Sequence, residues 1–235
     1  MIRGFYTAAS GLVSRQTSLD VIANNIANVN TTGFKPQQTG FSSLLYESIN
    51  GGASNPVSVG HGVKVDKTSI DFTQGDLKRT DMPLDCAIMG EGFFAVEDKD
   101  DDDIITYTRD GSFRIVEDGR RSYLGDSSGN YVLDSRERKI EISDDGFDPA
   151  NIGVFGFSNP YGLKPVGGNR FAATDESGEV YDIEEPDIKV GYLENSSVQL
   201  VREMASMIEA SKGFSLNSKV LQTADEMEKT INQLR

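Results

Sequence analysis

The feature that most constrains this fold is the spacing of apolar residues near both ends of the chain. In residues 2–26, apolar side chains recur at alternating spacings of three and four, interrupted only by Gln16. This spacing places them along one face of an α-helix, as in a coiled-coil seam. The helix is predicted to end near NTTGFKP, where Gly33 can cap it and Pro36 cannot continue it. The seam consists of Ile2, Phe5, Ala9, Leu12, Leu19, Ala23 and Ile26.

Residues 198–235 show the same kind of spacing in two registers, with the change near residues 211–213. A first stripe consists of Val201, Met204 and Ile208. A second stripe consists of Val220, Ala224, Met227, Ile231 and Leu234. Asn195, Ser196 or Ser197 can cap the start of this helix. We therefore predict two long terminal helices that pair with each other as a coiled coil.

Between the helices the pattern is one of short strands and turns. Hairpins are predicted at Asp110-Gly111, at Asp118-Gly119 and, more weakly, at Gly129-Asn130. Other strands are predicted in CAIMGEGFFAVE, YVLD, KIEIS, IGVFGFS, NRFAAT and EVYDI. The predicted fold is α+β with a central antiparallel β domain. Its predicted parts are a helical domain (1–35 plus 192–235), an extended connector (36–62) and a β-rich outer domain (63–191).

Charge excludes several classes of partner. The net charge is −14 and the pI about 4.5, so no basic patch for nucleic acid or anionic membranes is expected. No apolar run is long enough for membrane insertion. Residues 1–35 carry a net +2, residues 36–190 a net −15 and residues 191–235 a net −1. The two ends are therefore nearly neutral, and the middle carries the charge.

Residues that could carry chemistry are few. Cys86 is predicted to be a small core residue, since the only histidine, His61, lies in a loop-like segment. The acidic run Asp98–Asp103 lacks the glycine and glutamate of a calcium-binding EF-hand loop, and is predicted to be a solvated hairpin loop. GEGFF lacks the third glycine of a dinucleotide-binding fingerprint. We predict no cofactor, no metal and no enzymatic activity.

The stretch VIANNIANVNTTGF raises a separate question, because asparagine is a poor helix former. With the seam facing inward, Asn24, Asn25 and Asn28 fall on the outer side of the helix. An amide both donates and accepts hydrogen bonds, and it costs less to bury than a charge. Such a face suits a helix surrounded by protein on several sides. The alternative is an ordinary frayed helix end in solvent.

The segment ANNIANVNTTGFK resembles the N-terminal signature of the bacterial flagellar rod and hook proteins. GEGFFAVE, YTRDGSF and GYLENSSVQLVREMASMIEASKGFSLNSKVLQTADEM resemble the central and C-terminal blocks of that family. The likeness is greatest to the distal-rod type rather than the proximal one. The signature residues are Ala23, Asn24, Asn25, Ala27, Asn28, Thr32, Gly33 and Phe34.

The resemblance implies a non-enzymatic subunit of the axial shaft that transmits torque from motor to hook. It implies export in an unfolded state by the flagellar type III apparatus and a place in the basal body outside the cytoplasmic membrane. The expected partners are copies of the chain, other rod and hook proteins, and bushing proteins that surround the rod. The resemblance places the terminal helices in the inner layer of a helical tube and the β domain outside.

From the seams and the asparagine face we expect contacts between subunits. Because a helix pair with one seam is marginal, residues 1–34 and 196–235 are expected to be mobile in the monomer and to order on assembly. Two competing functions are a secreted cation-dependent adhesin and a hydrolase with paired carboxylates. Neither explains charge-poor helices at both ends.

Overall fold

The structure is a computed structural model that describes residues 2–49, 57–99, 104–119, 121–142 and 148–234. The chain divides into two compact units. The helical unit comprises residues 1–27, 37–71 and 199–235. The β unit comprises residues 28–36 and 72–198. The chain therefore passes from one unit to the other four times, and these bounds differ from the predicted domain boundaries.

The described residues of the helical unit form two helices and four strands. Helices α1 (Ile2–Ala27) and α2 (Leu200–Gln233) pack against each other in antiparallel directions, with Gly11 near Asn217 and Arg15 near Gly213. The strands form antiparallel pairs, β1 with β4 and β2 with β3. Their bounds are β1 (Gln37–Ser43), β2 (Tyr46–Ile49), β3 (Val57–Gly60) and β4 (Val63–Ile70).

The predicted connector over residues 36–62 instead contains β1, β2 and β3, which belong to the helical unit. Strand β1 reads QQTGFSS and has no clear alternation of apolar and polar residues. The reason is its position, because it packs against a polar side of α1 rather than a hydrophobic core. Residues 50–56 of the predicted connector lie outside the described residues.

Three serines, spaced one helical turn apart, make hydrogen bonds between α1 and the paired strands β1 and β4. The Ser10 hydroxyl accepts a hydrogen bond from the Val63 N–H at 3.4 Å, and the Ser14 hydroxyl donates to the Val63 carbonyl at 3.3 Å. The Thr39 hydroxyl donates to the Ser18 hydroxyl at 3.4 Å. Small hydroxyl side chains let the strand backbone lie directly on the helix.

Asn25 completes this polar side of α1. Its Nδ2 donates to the Gln37 carbonyl at 2.8 Å, and the Gln37 N–H donates to its Oδ1 at 3.0 Å. The side chain thus pairs with both backbone groups of one strand residue and is only 1% exposed. The expectation that Asn25 faces a neighbouring subunit is therefore corrected, because its amide is used inside its own subunit.

The β unit is antiparallel throughout its described strands, as predicted. Nine of these strands form one sheet, in which β7 is central and pairs with β8, β11 and β12. Two further pairs are β6 with β16 and β5 with β17. The bounds are β5 (Leu77–Arg79), β6 (Cys86–Met89), β7 (Phe93–Glu97), β8 (Ile105–Thr108), β9 (Arg114–Asp118), β10 (Arg121–Gly125), β11 (Tyr131–Val132), β12 (Val154–Phe157), β13 (Lys164–Gly167), β14 (Arg170–Ala172), β15 (Val180–Asp182), β16 (Asp187–Val190) and β17 (Tyr192–Glu194).

Two of the three predicted hairpins are confirmed. Asp118 ends β9 and Gly119 begins its connection to the paired strand β10, and residues 129–130 lie in the connection between β10 and β11. Residues 110–111 do not close a hairpin, since β8 pairs with β7 and β14 instead. At Gly111 the backbone passes so close to Cys86 that a Cβ would lie 1.6 Å from the Cys86 carbonyl oxygen. This glycine serves a close backbone approach rather than a tight turn.

A hydrophobic core lies on the face of the sheet that contains Phe94, which is fully buried. Cys86 is part of this core, as predicted, and burial raises the pKa of its thiol to about 12. The core residues are Cys86, Ile88, Phe94, Phe113, Leu124, Val132, Ile140, Ile152 and Val154.

Replacement of Asn25 tests the polar contact between α1 and β1. In Asn25→Ala, both backbone groups of Gln37 lose their partner in a buried position, which costs about 1–3 kcal/mol. We expect the free energy of local opening at β1 to fall by that amount, measured as faster hydrogen exchange of the β1 and β4 amides. Asn24→Ala is the control, because Asn24 is exposed and water can replace what its amide contacts. Equal exchange in the two variants would contradict the assignment.

Candidate assembly surface

The buried face of α1 is built from small and polar residues. Ala8, Ser14, Ser18, Ile22 and Asn25 are each 1–8% exposed, and they follow helical spacing. None of them belongs to the predicted seam, which lies to one side of this stripe. Serine and alanine side chains have little apolar area. The buried face of α1 therefore lets neighbouring elements lie close to the helix but buries only a small hydrophobic surface.

Two glycines bring α1 and α2 close together. A Cβ on Gly11 would lie 2.7 Å from Nδ2 of Asn217, and one on Gly213 would lie 3.0 Å from Nε of Arg15. The Arg15 guanidinium also stacks over the Phe41 ring, 5.5 Å from its centroid. Gly213 lies inside a helix that runs without interruption from Leu200 to Gln233. It marks a contact point between the helices.

The large apolar side chains of the predicted N-terminal seam are only partly covered within the subunit. Phe5 is 40% exposed, and Leu12, Leu19 and Ile26 are half-buried. The side chain of Ile2 lies outside the described residues. The sequence analysis assumed that the largest apolar side chains face the interior. In the structure, the neighbouring glycine, alanine and serine positions of α1 are the ones in closest contact with the rest of the helical unit. Helices α1 and α2 do pack against each other, but a coiled-coil pairing through the predicted seam is not confirmed.

The apolar residues of α2 are even more exposed. In the first predicted stripe, Val201 is 84% exposed, and Met204 and Ile208 are more than half exposed. Among the described residues of α2, Ala210 is the one that is buried. The exposed members of the second predicted stripe are Val220, Met227, Ile231 and Leu234, while Ala224 is half-buried. A helix with so much uncovered apolar surface marks an interaction site.

Sequence reasoning missed Leu216, which extends the second stripe towards the middle of α2 and is 63% exposed. We call Leu216, Val220, Met227, Ile231 and Leu234 the α2 stripe. A shallow groove of about 490 Å³ runs beside it and is lined by Gly4, Leu216, Lys219, Val220, Thr223, Ala224 and Met227. Val201, Met204 and Ile208 lie on a different side of the helix, so α2 presents two separate apolar surfaces.

The signature residues of the N-terminal segment divide between the two units. Ala23, Asn24 and Ala27 are exposed on α1, whereas Asn28, Thr32, Gly33 and Phe34 lie in the β unit. Gly33 has φ +64°, and a Cβ there would lie 2.6 Å from the Arg109 carbonyl carbon. Only glycine fits this position without strain. We call residues 28–36 the strap, since they pass over the β unit.

Hydrogen bonds fix the strap to three parts of the β unit. The Gly33 N–H donates to the Glu194 carbonyl at 2.8 Å, and Asn169 Nδ2 donates to the Thr32 carbonyl. The Ser197 N–H donates to the Phe34 carbonyl at 3.3 Å. The prediction that residues 28–35 continue the helical domain is corrected by these bonds, because they are made inside the β unit.

Below the strap lies a buried ion cluster that sequence reasoning missed entirely. Lys35 Nζ is 2.5 Å from Glu194 Oε1, and Arg109 Nη1 is 3.3 Å from Glu194 Oε2. The three side chains are 0%, 1% and 4% exposed for Lys35, Glu194 and Arg109. Burial lowers the pKa of Arg109, and Glu194 opposes that shift. No local pattern reveals this cluster, because its members are far apart in the sequence.

The net charge is confined to one unit. The helical unit carries nine basic and nine acidic residues, and the β unit carries 14 basic and 28 acidic residues. The surface that bears the apolar stripes is therefore electrically balanced, and the β unit accounts for the whole net charge of −14. Neutral apolar surfaces can associate without the cost of bringing like charges together.

The described residues contain no group of three or more potential metal ligands, and residues 100–103 of the acidic run lie outside them. No helix in the described parts of the chain is long and apolar enough to span a membrane.

Comparison with known families gives three matches along the chain. Residues 5–35 match the family described as "Flagella basal body rod protein". Residues 87–155 match "Flagellar hook protein FlgE/F/G D1 domain", and residues 189–234 match "Flagellar basal body rod FlgEFG protein C-terminal". The first match covers α1 and most of the strap, and the last covers α2 and the strand before it.

Rod proteins of other bacteria match over nearly their full length, and a hook protein matches over part of its length. The chain is 36% identical to the flagellar basal-body rod protein FlgG of Borreliella burgdorferi, over 100% of this chain and 99% of the relative. It is 34% identical to FlgG of Agrobacterium fabrum, over 99% of both chains. The flagellar hook protein FlgE of Helicobacter mustelae is 36% identical over 63% of this chain and 34% of its own length. The chain therefore belongs to the flagellar basal-body rod proteins, and it is a structural protein of the distal-rod type rather than an enzyme.

Proposed function

We propose that this chain polymerises with copies of itself, and joins other rod and hook proteins, to form a helical tubular shaft that transmits torque from motor to hook. The single observation that carries this proposal is the row of large apolar side chains left exposed on both terminal helices. A rod subunit is located in the flagellar basal body, beyond the cytoplasmic membrane. The neutral helical unit forms the inner layer of the shaft, and the acidic β unit faces outward.

The physics of assembly follows from the two apolar surfaces of α2. The α2 stripe and the Val201–Met204–Ile208 surface differ in position and composition, so each fits a different patch on a neighbouring subunit. Unlike patches in contact make a heterologous interface, which grows into an open helical polymer when its rotation does not close. In that polymer α1 and α2 of adjacent subunits pack as coiled coils through the seams that the sequence predicted.

Burial of these side chains supplies the driving force. Each large aliphatic side chain that becomes buried contributes roughly 1.5–3 kcal/mol. Ordering backbone costs about 1–2 kcal/mol per residue, which the isolated α2 cannot offset with one buried residue. The helix is then at its most stable in the polymer, where neighbours cover its other sides.

The proposal also covers how the subunit leaves the cell and which proteins surround the shaft. The chain leaves the cell unfolded through the flagellar type III export apparatus, and bushing proteins surround the finished shaft. The absence of any possible intramolecular disulfide, with one cysteine in the chain, suits passage in an unfolded state.

Polar substitutions on the α2 stripe test the proposal. Val220→Ser, Met227→Gln and Ile231→Ser each remove an apolar side chain that is exposed in the subunit but buried in the polymer. We expect the free energy of unfolding of the monomer to stay within about 0.5 kcal/mol of the native value. We expect the critical concentration for polymerisation to rise about tenfold or more for each variant, because 1.4 kcal/mol corresponds to tenfold. Sedimentation and negative-stain electron microscopy measure it.

Gln222→Ser is the matched control, because Gln222 is exposed on the same helix but outside the stripe. Its critical concentration is expected to equal that of the native chain. Polymerisation of the stripe variants at the native concentration would rule out the stripe as the contact between subunits.

Hydrogen exchange tests whether assembly orders α2. We expect its amides to exchange quickly in dilute monomer, since most of its side chains are exposed, and to become strongly protected in the polymer. The strap is expected to be protected in both states, because its bonds lie within the β unit. Strong protection of α2 in dilute monomer would show that the helix needs no neighbours.

A further inference from the structure

Two members of the buried ion cluster, Lys35 and Glu194, are close in sequence to points where the chain passes from one unit to the other. The four passages occur after residues 27, 36, 71 and 198. Lys35 lies just before the second passage, Thr73 just after the third, and Glu194 shortly before the fourth. Lys35 Nζ donates to the Thr73 carbonyl at 2.7 Å and to Glu194 Oε1 at 2.5 Å. One buried ammonium group therefore joins three of the segments that lead to the helical unit.

Backbone N–H groups add further bonds among the same three segments. The strap follows the first passage, and its Gly33 N–H donates to the carbonyl of Glu194. The Gly75 N–H donates to Glu194 Oε1 at 2.8 Å, so the segment after the third passage contacts this carboxylate directly as well. Glu194 thus accepts hydrogen bonds from the strap on its carbonyl oxygen and on its side chain, and from the segment after the third passage on its side chain.

Arg109 anchors the same carboxylate to the sheet. It binds Glu194 Oε2 through Nη1, and its Nη2 donates to the Gly90 carbonyl at 2.8 Å. Its guanidinium lies over the Phe93 ring, 5.3 Å from the centroid, and Phe93 is in the central strand β7. The cluster therefore connects the linking segments to the middle of the sheet.

We infer that Lys35, Glu194 and Arg109 form a mechanical clamp that fastens the segments linking the two units to the β sheet. A buried ion pair is a poor source of net stability, because desolvation offsets most of the attraction. Its geometry matters more here, since force on any one linking segment is shared with the others before it reaches the sheet. The clamp rests on the proposed function, because a shaft that carries torque loads these segments.

The clamp predicts that mechanical resistance depends on the direction of pulling. Force applied between the two termini of the full chain reaches the β unit through the strap, which follows α1, and through the segment after Glu194, which precedes α2. It therefore pulls these two segments apart. Force applied between Lys164→Cys and Glu117→Cys loads the sheet through β13 and β9 instead. Both attachment positions are exposed, and Cys86 is buried and does not react. Single-molecule force spectroscopy at constant load measures the lifetime of the β unit along each axis.

The test variant is Lys35→Met with Glu194→Gln, which removes the ion pair and leaves the net charge of the cluster unchanged. We expect the lifetime under load between the termini to fall about tenfold or more, since a hydrogen bond to a charged group contributes at least that factor. The lifetime along the sheet axis is expected to stay unchanged. An equal loss on both axes, or no loss between the termini, would overturn the clamp.

Lys139→Met with Glu97→Gln is the matched control, because this ion pair lies in the same unit at 3.5 Å and neither residue borders a passage. Its lifetimes are expected to match the native chain on both axes. Circular dichroism establishes that each variant folds, and where the double variant does not fold, Glu194→Gln alone is subjected to the same comparison with the same criteria. Polymerisation of the native chain is measured in a separate experiment. A failure to polymerise would count against the proposed function, whereas the force measurements would still test the clamp.

Discussion

The close packing of small residues on α1 determines which surfaces of the helical unit remain available. Gly11 and Gly213 allow the two helices to approach, and Ser10, Ser14 and Ser18 bring a hairpin onto another side of α1. The inward positions are then occupied by side chains with little apolar area. The large apolar residues are left on the outside by this arrangement, which is the reverse of the order in an ordinary monomeric domain. Their burial becomes available for contacts between subunits.

The division of charge complements this arrangement. The helical unit is balanced, so many copies can come together without accumulating charge. The β unit carries all of the excess negative charge, which keeps it hydrated and opposes close association of β units with one another. One chain thus combines a surface suited to association with a surface that resists it, and a buried ion cluster in the β unit ties together the segments of that unit that lead to the helical unit.

The sequence predicted the elements better than it predicted their contacts. The terminal helices, the antiparallel β domain and the turn at Asp118-Gly119 followed from local periodicity and turn chemistry, which need no knowledge of distant residues. The strand QQTGFSS could not be found in this way, because it packs on serines and an asparagine rather than in a hydrophobic core. Lys35 and Glu194 are distant in sequence, so nothing local indicated their pairing. Asn25 was recognised as unusual but placed on the wrong side of the helix, because the seam was assigned by side-chain size.

The most direct test of the account is a cryo-electron microscopy structure of the polymer formed by the full-length chain. In that structure we expect Val220, Met227 and Ile231 to be buried between helices of different subunits. We also expect the Asn25–Gln37 and Lys35–Glu194 bonds to stay within one subunit. A polymer held together by its β units, with the α2 stripe still facing solvent, would contradict the account.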